Sequence, residues 1–119
     1  MPSSRIARVA ELIRDELAGL VTRDVDEARQ ALVTITSVSL TPDMRIARVL
    51  VSVFPDTADA GAILDAIERR RGRLKGDLGR RLRLRHVPDL EFRLDETARL
   101  TQRIEDLLQG REPGDEEKS

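Results

Sequence analysis

The chain predicts an α+β fold, with helices laid on one face of a sheet, from three observations. Apolar residues recur at helical spacing near the start, through the middle and again near the end; two stretches rich in β-branched residues alternate on either side of a turn; a third alternating stretch comes only after the central helical region. With 119 residues there is material for one core and not for two, so a single domain is expected over residues 1–109.

Ile6, Val9, Ala10, Ile13, Leu17 and Leu20 fall on one helical stripe, which predicts a helix from about Ser4 to Leu20 with Ser3 or Ser4 able to cap its start. Gly19 lies near its expected end, and Thr22 to Gln30 reads as a polar connector. Leu32 to Leu40 reads as a strand, with Ser37 breaking the alternation as a bulge or twist would. Thr41-Pro42-Asp43 is turn chemistry, because proline fixes φ and aspartate bonds its own local backbone. Ala47, Val49, Val51 and Val53 then alternate with Ile46, Arg48, Leu50 and Ser52, so the two strands should pair as an antiparallel hairpin.

Pro55 to Thr57 ends that strand, and Ile63, Leu64 and Ile67 begin a second helix. Leu74, Leu78 and Leu82 continue nearly the same stripe after a gap at Arg70, Arg71 and Gly72. A glycine inside a helix costs about 1 kcal/mol relative to alanine, so the gap predicts a kink between two helices centred on Gly72. Pro88 stops the helical pattern; Leu90, Phe92 and Leu94 alternate as a third strand with Glu91 and Arg93 facing out. Leu100, Ile104, Leu107 and Leu108 predict a short last helix capped by Asp95 or Thr97, and residues 110–119 read as a disordered charged tail.

Charge carries the functional signal. From Arg69 to Arg85 the chain holds nine cations, Arg69, Arg70, Arg71, Arg73, Lys75, Arg80, Arg81, Arg83 and Arg85, against the single acid Asp77, although the whole chain carries a formal charge of -1. Such a run is the footprint of a polyanionic partner, with nucleic acid foremost. Residues three or four apart share a helix face, which groups Arg69 with Arg73 and Arg80, and separately Arg71 with Lys75. Arg5 and Arg8 on the first helix offer a smaller second patch, with Arg14 near them, or a merely solvated face. Arginine outnumbers lysine nineteen to two, as bidentate phosphate binding favours, though a GC-rich genome gives the same bias. The two phenylalanines, without Trp or Tyr, leave few platforms for stacking bases, which favours backbone and shape over base reading.

Several chemistries find no support. With no Cys and a single His, His86, neither a disulfide nor a metal centre is expected, and the cytoplasm is the natural compartment. No apolar run approaches a membrane span. There is no glycine-rich phosphate loop, no nucleophile beside a base and no paired-carboxylate arrangement, so neither an enzyme nor a cofactor is expected. Asp43 reads as a turn residue, Asp95 as a cap and Gly79 as a close-packing position. The expected state is a monomer.

Four stretches in order resemble the ribosome-binding factor A family, a bacterial KH-like (type II) group. They are Arg5-Ile6-Ala7-Arg8-Val9; Val33-Thr34-Ile35-Thr36 with Thr41-Pro42-Asp43 and Ala47 through Val53; Gly72, Leu74, Leu78 and Gly79 with Leu82-Arg83-Leu84-Arg85; and Val87-Pro88-Asp89-Leu90-Glu91-Phe92, closed by Asp95. The resemblance implies an α-β-β-α-kink-α-β order with an Ala-x-Gly kink between the central helices; here the positions are Arg70, Arg71 and Gly72, so the Gly is kept and the Ala is an Arg. The family's Asp-Pro-Arg connector is Glu27-Ala28-Arg29 in this chain. The implied function is a non-enzymatic assembly factor that binds the free 30S ribosomal subunit and assists late maturation and 16S rRNA processing. The residues expected to contact RNA, read from the charge run and the kink, are Arg69, Arg70, Arg71, Gly72, Arg73, Lys75, Arg80, Arg81, Arg83 and Arg85. The residues alone leave two rivals: a generic nucleic-acid-binding module, and an interaction domain for an acidic protein partner.

Overall fold

The computed structural model describes residues 4–55 and 58–110. Among them the order is α1 (Ser4–Asp24), a 3-10 turn (Asp26–Arg29), β1 (Leu32–Leu40), β2 (Ile46–Phe54), α2 (Ala60–Arg69), α3 (Arg71–Leu82), β3 (Asp89–Leu94) and α4 (Thr97–Leu108). The sheet runs β1-β2-β3, with β1 and β2 antiparallel and β3 parallel to β2. A parallel neighbour needs a crossover, and α2 with α3 supplies it. The tail expected over residues 110–119 lies, beyond Gly110, outside the described residues.

The first helix is longer than its stripe suggested, and the connector is not merely polar. Ile13, Leu17, Val21 and Val25 are buried at four-residue intervals, and Ala28 follows them into the core. That spacing carries α1 through Gly19 to Asp24, and a 3-10 turn then tucks Val25 and Ala28 under the sheet. The polar residues between these positions had disguised the continuation. Each large apolar side chain buried here contributes about 1.5–3 kcal/mol.

A bulge between Ile35 and Ser37 confirms the break in β1, and its cause can be read residue by residue. Val33 and Ile35 face the helices opposite Val53 and Val51, whereas Val38 and Leu40 face them opposite Val49 and Ala47. Odd positions point inward before the bulge and even ones after it, so a regular ladder would turn one pair to solvent. Thr36 is the extra residue. Its hydroxyl donates to the Asp95 carboxylate at 2.7 Å, while the Thr97 amide donates to the same group at 3.0 Å. Asp95 thus ties the bulge to the start of α4 from one position before the cap; the capping residue is Glu96, which makes no side-chain cap bond, so the expected cap at Asp95 or Thr97 is corrected.

These bonds hold the Asp95 carboxyl below its ordinary pKa, the Thr97 and Thr36 donors being the causes. A lowered carboxylate pKa stabilises the fold fully above the unfolded value, and the contribution drains away as pH falls through the folded one. Asp95→Asn is therefore expected to lower the melting temperature at pH 7, with the gap from the unmodified protein narrowing below about pH 4. A gap that stayed constant from pH 7 to pH 3 would deny the carboxylate this role.

The inner sheet face, Ala47, Val49, Val51, Leu90 and Phe92, packs with Ile63, Ile67, Leu74 and Leu78 from α2 and α3 in one core. Glu91 and Arg93 face away as expected, and Arg48 meets its register partner Glu91 at 3.7 Å. The hairpin turn closes as its chemistry predicts, with Asp43 accepting from the Thr41 hydroxyl at 2.6 Å and the Arg45 amide at 3.1 Å. The apolar stripe of α4 is largely exposed, with Leu100, Ile104 and Leu107 each about half exposed or more. No described helix is long and apolar enough to cross a membrane.

Candidate nucleic-acid interface

The helical break is present, but it falls at Arg70 rather than Gly72. Arg70 ends α2 and caps α3 with φ -96° and ψ 5°, and its amide bonds the Ile67 carbonyl at 3.0 Å in a tightened last turn. Gly72 lies inside the first turn of α3, has no positive φ, and a side chain there would meet nothing within 4 Å. The expected kink at Gly72 is corrected accordingly: the gap in the stripe comes from the break just before it at Arg70, and this glycine relieves no crowding. Gly72→Ala should therefore stabilise the fold by up to about 1 kcal/mol, read as a raised melting temperature. A fall in melting temperature would restore a special backbone role to this position.

The break also divides the expected arginine faces. Arg69 belongs to α2, so helical spacing no longer groups it with Arg73 and Arg80. Within α3 the other groupings hold. Arg73 and Arg80 both turn to Asp77, with Arg73 at 4.0 Å and Arg80 in a short contact, on the side facing α1. There Arg23 bridges Asp24 at 2.8 Å and Asp77 at 3.0 Å, and Arg73 reaches Asp24 at 3.9 Å. The Asp24 side chain is only 5% exposed, and the Arg23 hydrogen bond, reinforced by the charges of Arg23 and Arg73, lowers its pKa. Arg81 lies 3.9 Å from Glu16 on the same flank.

On the other side of α3, Lys75 donates to Asp89 at 2.6 Å, lowering that carboxyl's pKa. Arg71 donates to Glu68 at 3.3 Å across the break. Asp77 is thus not the only acid the cationic run meets. Glu16, Asp24, Glu68 and Asp89 are folded against it, and the patch is less positive than its sequence. The more exposed pairs, Lys75 with Asp89 and Arg71 with Glu68, are worth little to stability; their effect is to fix where the cationic groups point.

Four of the nine cations form no ion pair among the described residues: Arg69 and Arg70 at the break, Arg83 and Arg85 beyond the other end of α3. All four are exposed. The twelve residues of α3 hold the two unpaired pairs about 18 Å apart at 1.5 Å per residue. Arg83 itself adopts the left-handed conformation, φ 52° and ψ 42°, as it terminates the helix, a geometry that usually falls to glycine. Gly79 is the close-packing position expected, since a Cβ there would lie 2.5 Å from Val87 Cγ2.

Arg5 faces a groove that also contains Arg45, Arg85 and His86, whereas Arg8 does not line it. Arg45 is a cation that sequence reasoning passed over. Its signal was present, since it directly follows the turn at Thr41 to Met44 and turn-adjacent side chains are well exposed.

The profile of the family "Ribosome-binding factor A" matches residues 5–108. Ribosome-binding factor A of Brevibacillus brevis is 36% identical over 108 residues, covering 91% of this chain and 89% of the relative. The crystal structure of ribosome-binding factor A from Thermus thermophilus superposes with a TM-score of 0.67 at 29% identity, covering 75% of this chain and 94% of that one. Coordinates for the Thermus thermophilus factor as fitted into the cryo-EM map of its complex with the 30S subunit superpose at 0.60 with 30% identity, covering 72% of this chain and 90% of that one. The fold is the KH-like one these relatives share, with two helices broken at Arg70 in place of a loop. Matched over nearly the whole of its helices and strands, the chain belongs to the ribosome-binding factor A family.

Proposed function

We propose that this protein is a ribosome assembly factor that binds free 30S subunits in the cytoplasm, assists late maturation and 16S rRNA processing, and grips rRNA phosphates along the path from Arg69 to Arg85. The observation that carries the reading is that a relative of the same fold sits in a complex with the 30S subunit. The local geometry supports the grip. Unpaired guanidinium groups at both ends of α3 are available for bidentate phosphate contacts without first giving up an acid. The paired cations between them, Arg71, Arg73, Lys75, Arg80 and Arg81, are held in place by neighbouring carboxylates and give a second rank of contacts. Gly72, exposed and without a side chain, lets a strand come close to the start of α3. Arg8 stays a solvated outlier of this path.

Sucrose-gradient co-sedimentation tests the function directly. The protein should travel with 30S particles and be absent from 70S ribosomes, and a strain lacking it should accumulate unprocessed 16S precursor. Equal association with 30S and 70S particles would argue against an assembly role.

A further inference from the structure

The start of α1, the β1–β2 turn and the segment between α3 and β3 enclose a groove of about 760 Å³, within the range that holds a small organic ligand. Half-buried Val9, Met44, Leu84 and Val87 form its apolar part. Exposed Arg5, Arg45, Arg85 and His86 line the rest. Two acids are present as well, and both are already engaged: Asp89 by Lys75, Asp43 by the Thr41 hydroxyl and the Arg45 amide. Arg5, Arg45 and Arg85 have no ion-pair partner among the described residues, so the groove carries a surplus of positive charge.

Its backbone is unusual too. The two described non-glycine residues with positive φ are Met44 at 59°, which lines the groove, and Arg83 at 52°, which leads directly into Leu84. Side chains held in this conformation carry a cost that tends to persist where the position is used. An apolar patch beside several guanidinium groups matches a ligand with a flat, weakly polar face flanked by phosphates. In a duplex that face is stacked and hidden; an unpaired nucleotide presents it.

We propose that this groove takes a single unstacked nucleotide of an RNA strand, with its base against Met44 and Leu84 beside His86 and its flanking phosphates on Arg5, Arg45 and Arg85. The proposal rests on the RNA-binding function argued above, and adds to the phosphate path a site that distinguishes unpaired from paired RNA.

Two RNA hairpins test it with the full-length protein: one carrying a single bulged 2-aminopurine, the other fully paired and otherwise identical. The bulged hairpin should bind about tenfold more tightly or better, as covering roughly 50–60 Å² of a base's face with apolar side chains would give, with a change in 2-aminopurine fluorescence. Arg45→Glu and Met44→Gly should each erase that preference while leaving the paired hairpin little changed. Met44→Gly should at the same time raise the melting temperature, because glycine relieves the left-handed backbone, so lost preference cannot be ascribed to unfolding. Equal affinity of the unmodified protein for both hairpins, binding of neither, or an equal loss on both from Arg45→Glu would each overturn the nucleotide site. The double variant Arg70→Glu/Arg71→Glu should weaken both hairpins alike. If it leaves both unchanged while Arg45→Glu removes the preference, the phosphate path fails and the groove stands.

Discussion

Reversing Arg70, Arg71 and Arg73 together to Glu is expected to lower affinity for the 30S subunit by about a hundredfold or more. An exposed charge-assisted phosphate contact contributes roughly 1 kcal/mol once solvent screening is allowed for, and each reversal adds repulsion of similar size. Three positions then exceed about 3 kcal/mol, at about 1.4 kcal/mol per tenfold. The structure refines how the loss should divide. Arg70 has no acid to give up, whereas Arg71 and Arg73 are drawn toward Glu68, Asp24 and Asp77, so Arg70→Glu should be the most damaging single change. The unmodified protein should show a log-log salt slope of roughly -3 if the four unpaired arginines alone meet phosphates, approaching about -5 as paired ones join, at about -0.7 to -0.9 per contact. The triple variant should flatten that slope. As a control, reversing Asp115, Glu116 and Glu117 in the tail should leave affinity nearly unchanged; a loss matching that of the triple arginine variant would place the grip elsewhere.

Gly79→Ala should destabilise the fold by about 1–2 kcal/mol even though alanine is the better helix former. The added Cβ lies 2.5 Å from Val87 Cγ2, and valine is stiff at χ1, so relief requires the segment before β3 to move. Overpacking costs about 1–3 kcal/mol, and a contact this close falls in the upper part of that range, about 2–3 kcal/mol, against about 1 kcal/mol gained in propensity. At about 4–8 °C per kcal/mol for a domain of this size, the melting temperature should fall by at least about 4 °C. The same helix supplies its own control. A Cβ at Gly76 would meet only the flexible Arg80 guanidinium, at 3.5 Å, so Gly76→Ala should behave like Gly72→Ala and stabilise. Three alanine substitutions in one helix with the same sign would contradict the contact with Val87. In the double variant Gly79→Ala/Val87→Ala the crowding disappears, and part of the stability should return.

The hairpin was legible because β-branched residues alternate on both sides of a proline-aspartate turn. The bulge was legible because the inward positions change parity at one place, around Thr36 and Ser37. The end of α1 was not, since Val21, Val25 and Ala28 are separated by charged and polar residues that resemble a connector unless the four-residue interval is followed past Gly19. The gap between Ile67 and Leu74 showed that a break existed, but the glycine drew attention from Arg70, where the backbone actually turns. The density of cations was plain in the sequence, and their neutralisation was not. Glu16 and Asp24 lie far along the chain from the arginines they meet, and Asp89 lies 14 positions from its partner Lys75, so a linear charge count overstates the patch. Arg45 illustrates the converse: a single cation in a turn acquires neighbours from two other elements that no local pattern foretells.

The acids folded against α3 bear on how fast a partner is met. Closely matched pairs form dipoles, whose potential decays faster with distance than that of a lone charge and is screened further beyond a Debye length of about 8 Å at physiological ionic strength. With a formal net charge of -1, the molecule has little far field with which to draw itself toward a polyanion or to orient on approach. Ordinary diffusion should then govern the association rate, which should vary only weakly with salt, while dissociation carries most of the ionic-strength dependence. Such a protein collides with nucleic acid without being captured by it, and lingers only where the surface shape lets its arginines come within contact range.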